Sequence, residues 1–316
     1  MSTVYVLVEH DGSQVSPVTA ELITAARPLG EVTAVVVGVP GVTAALAPEL
    51  AAAGATTIVA AEAADVAERL ILPQVDALHT LAATTPGPIV VAADATGNEI
   101  AGRLAARLAS GVLCDVVGIN PDRTATQSVF GDQIQVSAAV GGACPIYSVR
   151  PGAVEPAPVA GAGTLSTLAL PAATAKDVTV TGFTPAVRGS RPDLPAAKVV
   201  IAAGRGIGSA EDMALAEELA DALGGAVGVT RDIVDLDYYD GAYQIGQTGV
   251  TVSPDLYIGL GVSGAIQHTS GMQTAKKIVV INNDEDAPIF QIADLGVVGD
   301  LHEVVPALIA EINARK

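Results

Sequence analysis

No tryptophan occurs in the 316-residue chain, and aromatic residues make up only 3% of it. Stacking platforms of the kind that hold single-stranded nucleic acid are therefore excluded. Basic residues are scarce too: 16 Lys and Arg stand against 34 Asp and Glu, a formal charge of −18. Nucleic-acid binding needs clustered cations that release counterions, so this balance argues against such a partner. The acidity is spread, 16 acidic against 8 basic residues through residue 188 and 18 against 8 beyond it. It reads first as solubility and second as steering of basic protein partners. The two cysteines, Cys114 and Cys144, lack the C-x-x-C spacing of a redox or zinc centre and read as core residues. Although 50% of the residues are hydrophobic, no unbroken apolar run reaches the roughly 18 residues of a membrane helix. A soluble protein is expected. The opening M-S-T-V-Y-V-L-V-E-H enters a strand pattern without the basic region of a signal peptide, which predicts a cytoplasmic location, or an organelle matrix if imported by other means.

What is present is an α/β alternation. Apolar runs at 4–8, 32–37, 57–60 and 88–93 are separated by Ala-rich helical patterns near 18–27, 42–52, 64–83 and 99–108. Continuous hydrophobic strands joined through helices predict a parallel sheet covered on both faces. Residues 128–130, 133–140 and 146–150 read as strands without helices between them, an antiparallel extension at the sheet edge. Residues 151–164 read as loop, and 178–182 as a strand returning to this domain. Periodicity fails in 185–195, where Pro, Gly and polar residues rise, so the chain divides into domains 1–188 and 189–316. The second repeats the alternation in Rossmann-like order: strands at 198–203, 226–230, 256–260, 277–282 and 291–293, helices near 210–223, 265–270 and 301–314.

The run Q-I-G-Q-T-G-V-T-V-S-P-D-L-Y-I-G-L-G-V-S-G-A-I-Q-H at 244–268 concentrates the chemistry. Gly246, Gly249 and Gly264 permit close approach of backbone to a ligand. Gln244, Gln247, Thr248, Ser263, Gln267 and His268 supply hydrogen-bonding groups, uncharged except for a protonated His268. That set suits a heteroaromatic ring and lacks zinc or calcium spacing. No catalytic nucleophile, base pair or metal cluster appears in the run, which agrees with a carrier rather than an enzyme. Upstream, G-R-G-I-G-S at 204–209 sits between a strand and a helix, a position that favours phosphate, though its spelling departs from G-x-G-x-x-G. On these residues alone a nicotinamide-dependent dehydrogenase, with Asp232 on the ribose, and a nucleotide-binding sensor of the universal-stress type stay open. So do plainer roles: Arg205 and Arg231 pairing with Asp232 or Asp235, His268 capping a helix, Asn282 and Asp284 shaping a turn, and Tyr238 and Tyr239 packing on the core rather than over a ligand.

Six motifs in order, G-R-G-I-G-S, V-T-R at 229–231, Q-I-G-Q-T-G at 244–249, S-G-A-I-Q-H at 263–268, I-N-N-D at 281–284 and A-P-I-F-Q-I-A-D at 287–294, resemble the electron-transfer flavoprotein alpha-subunit family. G-N-E-I-A-G-R-L-A-A-R-L at 97–108 and S-V-R at 148–150 extend the resemblance, more weakly, into the first half. The resemblance implies one extended FAD in the second domain. Arg205 and Arg231 would lie near the flavin or its pyrophosphate, and Thr230 and Ser263 would donate to phosphate oxygens. Gln247, Thr248, Gln267 and His268 would surround the ring and ribityl chain, Gln244, Gly249 and Gly264 would also contact the cofactor, and Asn282 and Asp300 would hold the adenosine. It also implies a beta subunit that binds AMP, donors such as acyl-CoA dehydrogenases and other flavin dehydrogenases, and a membrane quinone oxidoreductase as acceptor. The chain departs from the family at 232–242: where A-A-V-D-A-G-F/W-V-P is usual, it reads D-I-V-D-L-D-Y-Y-D-G-A, adding Asp232, Asp237 and Asp240.

Charge beside the ring is the protein's lever on a flavin. One cation about 4 Å from a developing anion contributes roughly 4 kcal/mol at an effective dielectric near 20, on the order of 170 mV for one electron. The resemblance assigns that lever to Arg231 and His268. Arg231→Ala is expected to lower the first reduction potential while FAD stays bound; a potentiometric titration showing no change removes Arg231 from the role.

Overall fold

The computed structural model describes residues 2–130, 134–175, 177–184 and 189–316. Its contacts gather into two compact units, residues 2–129 with 134–184, and residues 189–316. The expected boundary at 185–195 starts in 185–188, and Gln133 opens one expected strand; both lie outside the described residues.

The first unit runs β1 (Thr3–Leu7), α1 (Pro17–Ala26), β2 (Glu31–Gly38), α2 (Val42–Ala53), β3 (Thr57–Glu62), α3 (Leu72–Thr84), β4 (Ile89–Ala92), α4 (Ala95–Leu108), β5 (Val112–Ile119), β6 (Ala125–Val129), β7 (Ile134–Ala138), β8 (Ile146–Val149) and β9 (Thr164–Thr167). Its sheet has the order β7-β6-β5-β8-β4-β1-β2-β3-β9. All neighbours pair in parallel except β5 with β6 and β6 with β7. The central strands β1, β2 and β4 are buried almost throughout because apolar clusters cover both faces, with Leu22, Ile23 and Leu46 on one and Leu78, Ile100 and Leu104 on the other.

The antiparallel edge is as expected, but three details differ. β8 lies inside the sheet, parallel to β4 and β5, since all four of its residues are buried. The returning strand is β9 at 164–167, starting at the last residue of the stretch read as loop; its T-L-S-T side chains are exposed and only its backbone ladder to β3 marks it. Thr179 makes just an isolated bridge to Arg69. β5 escaped the sequence pattern because its register shifts between Leu113 and Val116, where Asp115 takes φ +56°.

The second unit runs β10 (Val199–Ala203), α5 (Met213–Leu223), β11 (Ala226–Val229), α6 (Arg231–Asp235), β12 (Leu256–Leu260), α7 (Ile266–Thr269), β13 (Ile278–Asn282), β14 (Leu295–Val298) and α8 (Leu301–Ala314). The sheet is parallel, ordered β11-β10-β12-β13-β14. β14 replaces the expected strand at 291–293, where Pro288–Gln291 form a 3-10 turn. α5 and α8 cover one face, with Leu219 and Val305 over Ile201, Val227 and Leu260. Loop residues Ile245, Val252, Met272 and Ile289 cover the other, over Val200, Ala202 and Tyr257. The strand order reverses between β10 and β12, so the loops leaving these two strands part and open a crevice at their carboxyl ends. Among the described residues no helix is long and apolar enough to cross a membrane, and no group of three or more His, Cys, Asp and Glu could hold a metal ion.

Buried Arg69 fastens the tail of the first unit, donating to the Pro171 carbonyl at 3.0 Å, Asp76 at 2.8 Å and Asp177 at 3.3 Å. Removing one member of a buried ionic cluster leaves its partners desolvated and uncompensated. Arg69→Met is expected to cost about 3 kcal/mol, read as a lower urea midpoint for the transition that carries this unit, with the other transition unmoved.

Candidate functional site

At the reversal point lies a cavity of about 590 Å³, bounded by the turns that leave β10, β11, β12 and β13 and by the 244–248 loop. Its framework is glycine against glycine. A Cβ on Gly204 would lie 2.5 Å from the Gly261 carbonyl oxygen, and one on Gly206 would lie 2.7 Å from the Gly261 Cα; Gly261 itself takes φ +61°. Alanine at any of the three forces the strand ends apart. The same closeness uses up the donors that were expected to face a phosphate. The amides of Gly204 and Gly206 donate to the Leu260 and Gly261 carbonyls, and those of Ile207 and Gly208 bond within the turn. Nor does the turn lead straight into α5: the helix starts at Met213, behind Asp212, which accepts from Ser209 and pairs with His302. These four amides are not free to meet an anion.

Ten of the sequence-predicted residues line this cavity: Arg205, Thr230, Arg231, Gln244, Gln247, Thr248, Ser263, Gln267, His268 and Asn282. The run 244–268 folds back on itself, the Gln247 amide donating to the Gln267 carbonyl at 2.7 Å and the Gln244 amide group to Thr248 Oγ1 at 2.9 Å. Three residues are not on the lining. Gly249 closes the loop, where a Cβ would meet the Gln244 carbonyl oxygen at 2.2 Å, and Gly264, at φ +91°, sits against Ile289. Asp300 instead caps α8, accepting from the His302 amide at 2.9 Å. Tyr238 and Tyr239 pack against the core rather than over the cavity. Gly261, Val262 and Ala265 belong to the lining and were not foreseen; a glycine directly after an apolar strand, as in I-G-L-G, was the available signal.

Several side chains are already committed. Asn282 donates to the Val262 carbonyl at 2.9 Å and accepts from the Asp284 amide at 3.0 Å, tying the ends of β12 and β13 together. Arg231 donates to Asp235 at 3.3 Å, and Arg205 to Asp232 at 2.7 and 3.1 Å. Thr230 is the exception: its hydroxyl is buried against the cavity with no partner among the described residues. A buried hydroxyl without a partner costs stability unless something arrives to accept from it.

The electron transfer flavoprotein FAD-binding domain family matches residues 193–273, and the electron transfer flavoprotein domain family matches residues 4–175. The electron transfer flavoprotein subunit alpha of Mycobacterium tuberculosis (strain ATCC 25618 / H37Rv) is 54% identical over 317 aligned positions, covering 100% of both chains. That of Mycobacterium leprae (strain TN) is 52% identical at the same coverage. That of Paracoccus denitrificans is 39% identical, covering 93% of this chain and 94% of its own. The chain belongs to the electron transfer flavoprotein alpha-subunit family. Its cofactor is FAD, and the cavity's unpartnered Thr230 hydroxyl, two arginines and neutral amide groups suit a diphosphate joined to a heteroaromatic ring.

In this alpha subunit the expected cation at His268 is absent. Its ring is 5% exposed, and burial pushes the imidazole down to about 4. Both nitrogens are engaged: Nδ1 lies 3.1 Å from the Ile245 carbonyl and Nε2 lies 2.7 Å from the Tyr257 hydroxyl. A carbonyl only accepts, so Nδ1 carries the proton and Nε2 accepts from Tyr257. Arg231 is then the nearer candidate for tuning, but its side chain is 69% exposed. At a water-like dielectric a cation about 4 Å away contributes ~1 kcal/mol, on the order of 40 mV, so the larger figure expected from sequence is an upper bound.

Because the folded pKa of His268 lies below its ordinary 6.5, the neutral ring stabilises the fold fully above about pH 6.5, and that contribution is lost as pH falls through about 4. Its size is on the order of 3 kcal/mol. Urea unfolding of the second unit is expected to weaken over that window, and His268→Gln, which can still bridge Ile245 and Tyr257, to flatten the dependence. Identical pH profiles would show that His268 is not the group responsible.

Proposed function

We propose that this chain pairs with a beta subunit and carries electrons on one FAD, accepting them from flavin dehydrogenases such as acyl-CoA dehydrogenases and delivering them to a membrane quinone oxidoreductase. Bound FAD supplies the redox chemistry. The chain's residues position it, exclude water and set its electrostatic surroundings. The observation that carries the reading is the buried, unpartnered Thr230 hydroxyl beside Arg205 at the reversal of a parallel sheet, a donor suited to a phosphate oxygen. Around it, Arg205 and Ser263 would complete the diphosphate end, and Gln244, Gln247, Thr248 and Gln267 the ring end. Asn282 would present backbone and amide edges to the adenosine. The assignment of Asp300 to the adenosine is not supported by its place at the cap of α8.

A substrate-converting enzyme is disfavoured by the state of the side chains that could act as acid or base. The imidazole of the lining has both nitrogens bonded within the protein. Asp232, which a nicotinamide site would set on a ribose, is paired with Arg205. A carrier requires neither group to move a proton.

The chain purified with its beta subunit, after addition of FAD, is expected to show the visible bands of a bound flavin and to be bleached by an acyl-CoA dehydrogenase with its substrate. A protein that takes up no FAD overturns the reading; one that takes up FAD but accepts electrons from no flavin dehydrogenase overturns the carrier role. Thr230→Val is expected to weaken FAD binding about fivefold, the value of one hydrogen bond, measured by recovery of flavin fluorescence.

A further inference from the structure

We propose that Asp232 is a built-in competitor for the cofactor's diphosphate, holding Arg205 in an ion pair that FAD must open or share. The inference rests on the FAD reading above and concerns how the site is weighted rather than whether it exists. Arg205 donates from both Nε and Nη2 to the same oxygen of Asp232, at 3.1 and 2.7 Å, and both residues line the one cavity. The backbone on either side of Arg205 is fixed by Gly204 and Gly206 against Gly261, so the guanidinium reaches the cavity only by swinging its own side chain. Its partner is the second residue of α6, two positions after Thr230, whose hydroxyl is the one best placed to meet a phosphate.

Charge on the lining supports the same conclusion. Arg205 and Arg231 face Asp232 and Asp284, while His268 is neutral through its two ring bonds. The lining therefore offers no net positive charge to a diphosphate, and attraction depends on freeing a guanidinium from its carboxylate. Asp232 lies at the surface rather than in the core, so a neutral residue of similar size at position 232 is compatible with the fold.

The side chains of the pair are 73% and 46% exposed, which keeps the effect modest. Asp232→Asn in the complex with the beta subunit is expected to tighten FAD two- to fivefold, about the range of an exposed ion pair, with a correspondingly slower release of flavin. In an Arg205→Ala background the same substitution is expected to change affinity by less than about twofold, because no pair remains to be opened. Asp232→Ala gives a second reading of the same effect should the Asn variant misfold. Unchanged or weaker binding in the single variants overturns the proposal, and so does a gain that persists without Arg205, which would mean simple repulsion of the diphosphate. If the unsubstituted complex takes up no FAD, the functional reading fails instead.

Discussion

The site depends on one approach of backbone to backbone: the turn leaving β10 lies directly on the turn leaving β12. In-register parallel pairing brings Ala203 opposite Leu260, and the Gly204 and Gly206 amides then continue the ladder onto Leu260 and Gly261. No side chain fits between them. The consequence runs outward from there. With the two turns pinned, the loops after β11 and β13 must pass on either side, and Thr230 and Asn282 arrive at the rim of one cavity from opposite flanks. The cost is chemical: amides used to hold strand ends together are not available to a ligand. On the proposed reading, the side chains of Thr230 and Arg205 would take over a task that a looser glycine turn would leave to backbone.

Polarity at the ring end is settled by a similar commitment. Tyr257 is buried within β12, and burial pushes its phenol well above the ordinary range; it remains a donor, and its bond to His268 Nε2 fixes the imidazole as a neutral acceptor. The pair closes the floor of the 244–268 loop against the sheet. A histidine that looks in sequence like a charge beside the ligand is, in the fold, a brace between a strand and a loop. On the proposed reading, electrostatic influence on the ring would be left to groups nearer solvent, whose effect water and salt reduce.

The sequence was most legible where chemistry and period coincided. The glycine and amide pattern of 244–268 marked the loop that lines the cavity: six of the expected residues meet there because its own hydrogen bonds fold it over the reversal point, and four more arrive from the ends of β10, β11 and β13. Legibility failed where a pattern depends on partners distant in the chain. β9 is a strand only because β3 lies beside it, and T-L-S-T carries no apolar signature of its own. β8 looked like an edge because no helix precedes it, yet its four buried residues place it between two parallel neighbours. Asp300 stands apart from the cavity lining, its carboxylate capping α8, in keeping with the order G-D-L-H-E before an apolar helical run, a helix-start signal.

The distribution of acid sets the final constraint. With a formal charge of −18, the field far from the protein repels a dianionic diphosphate, and at physiological salt that field fades beyond about 8 Å. Recognition must then occur at contact distance, by donors that match phosphate oxygens. Two arginines would ordinarily supply an excess of attraction there, but each is answered by a carboxylate of α6, Arg205 by Asp232 and Arg231 by Asp235. A site balanced in this way discriminates by geometry more than by charge: a small anion gains nothing from a neutral lining, whereas a ligand that also fills the amide-rich end brings enough contact to open the arginine pair.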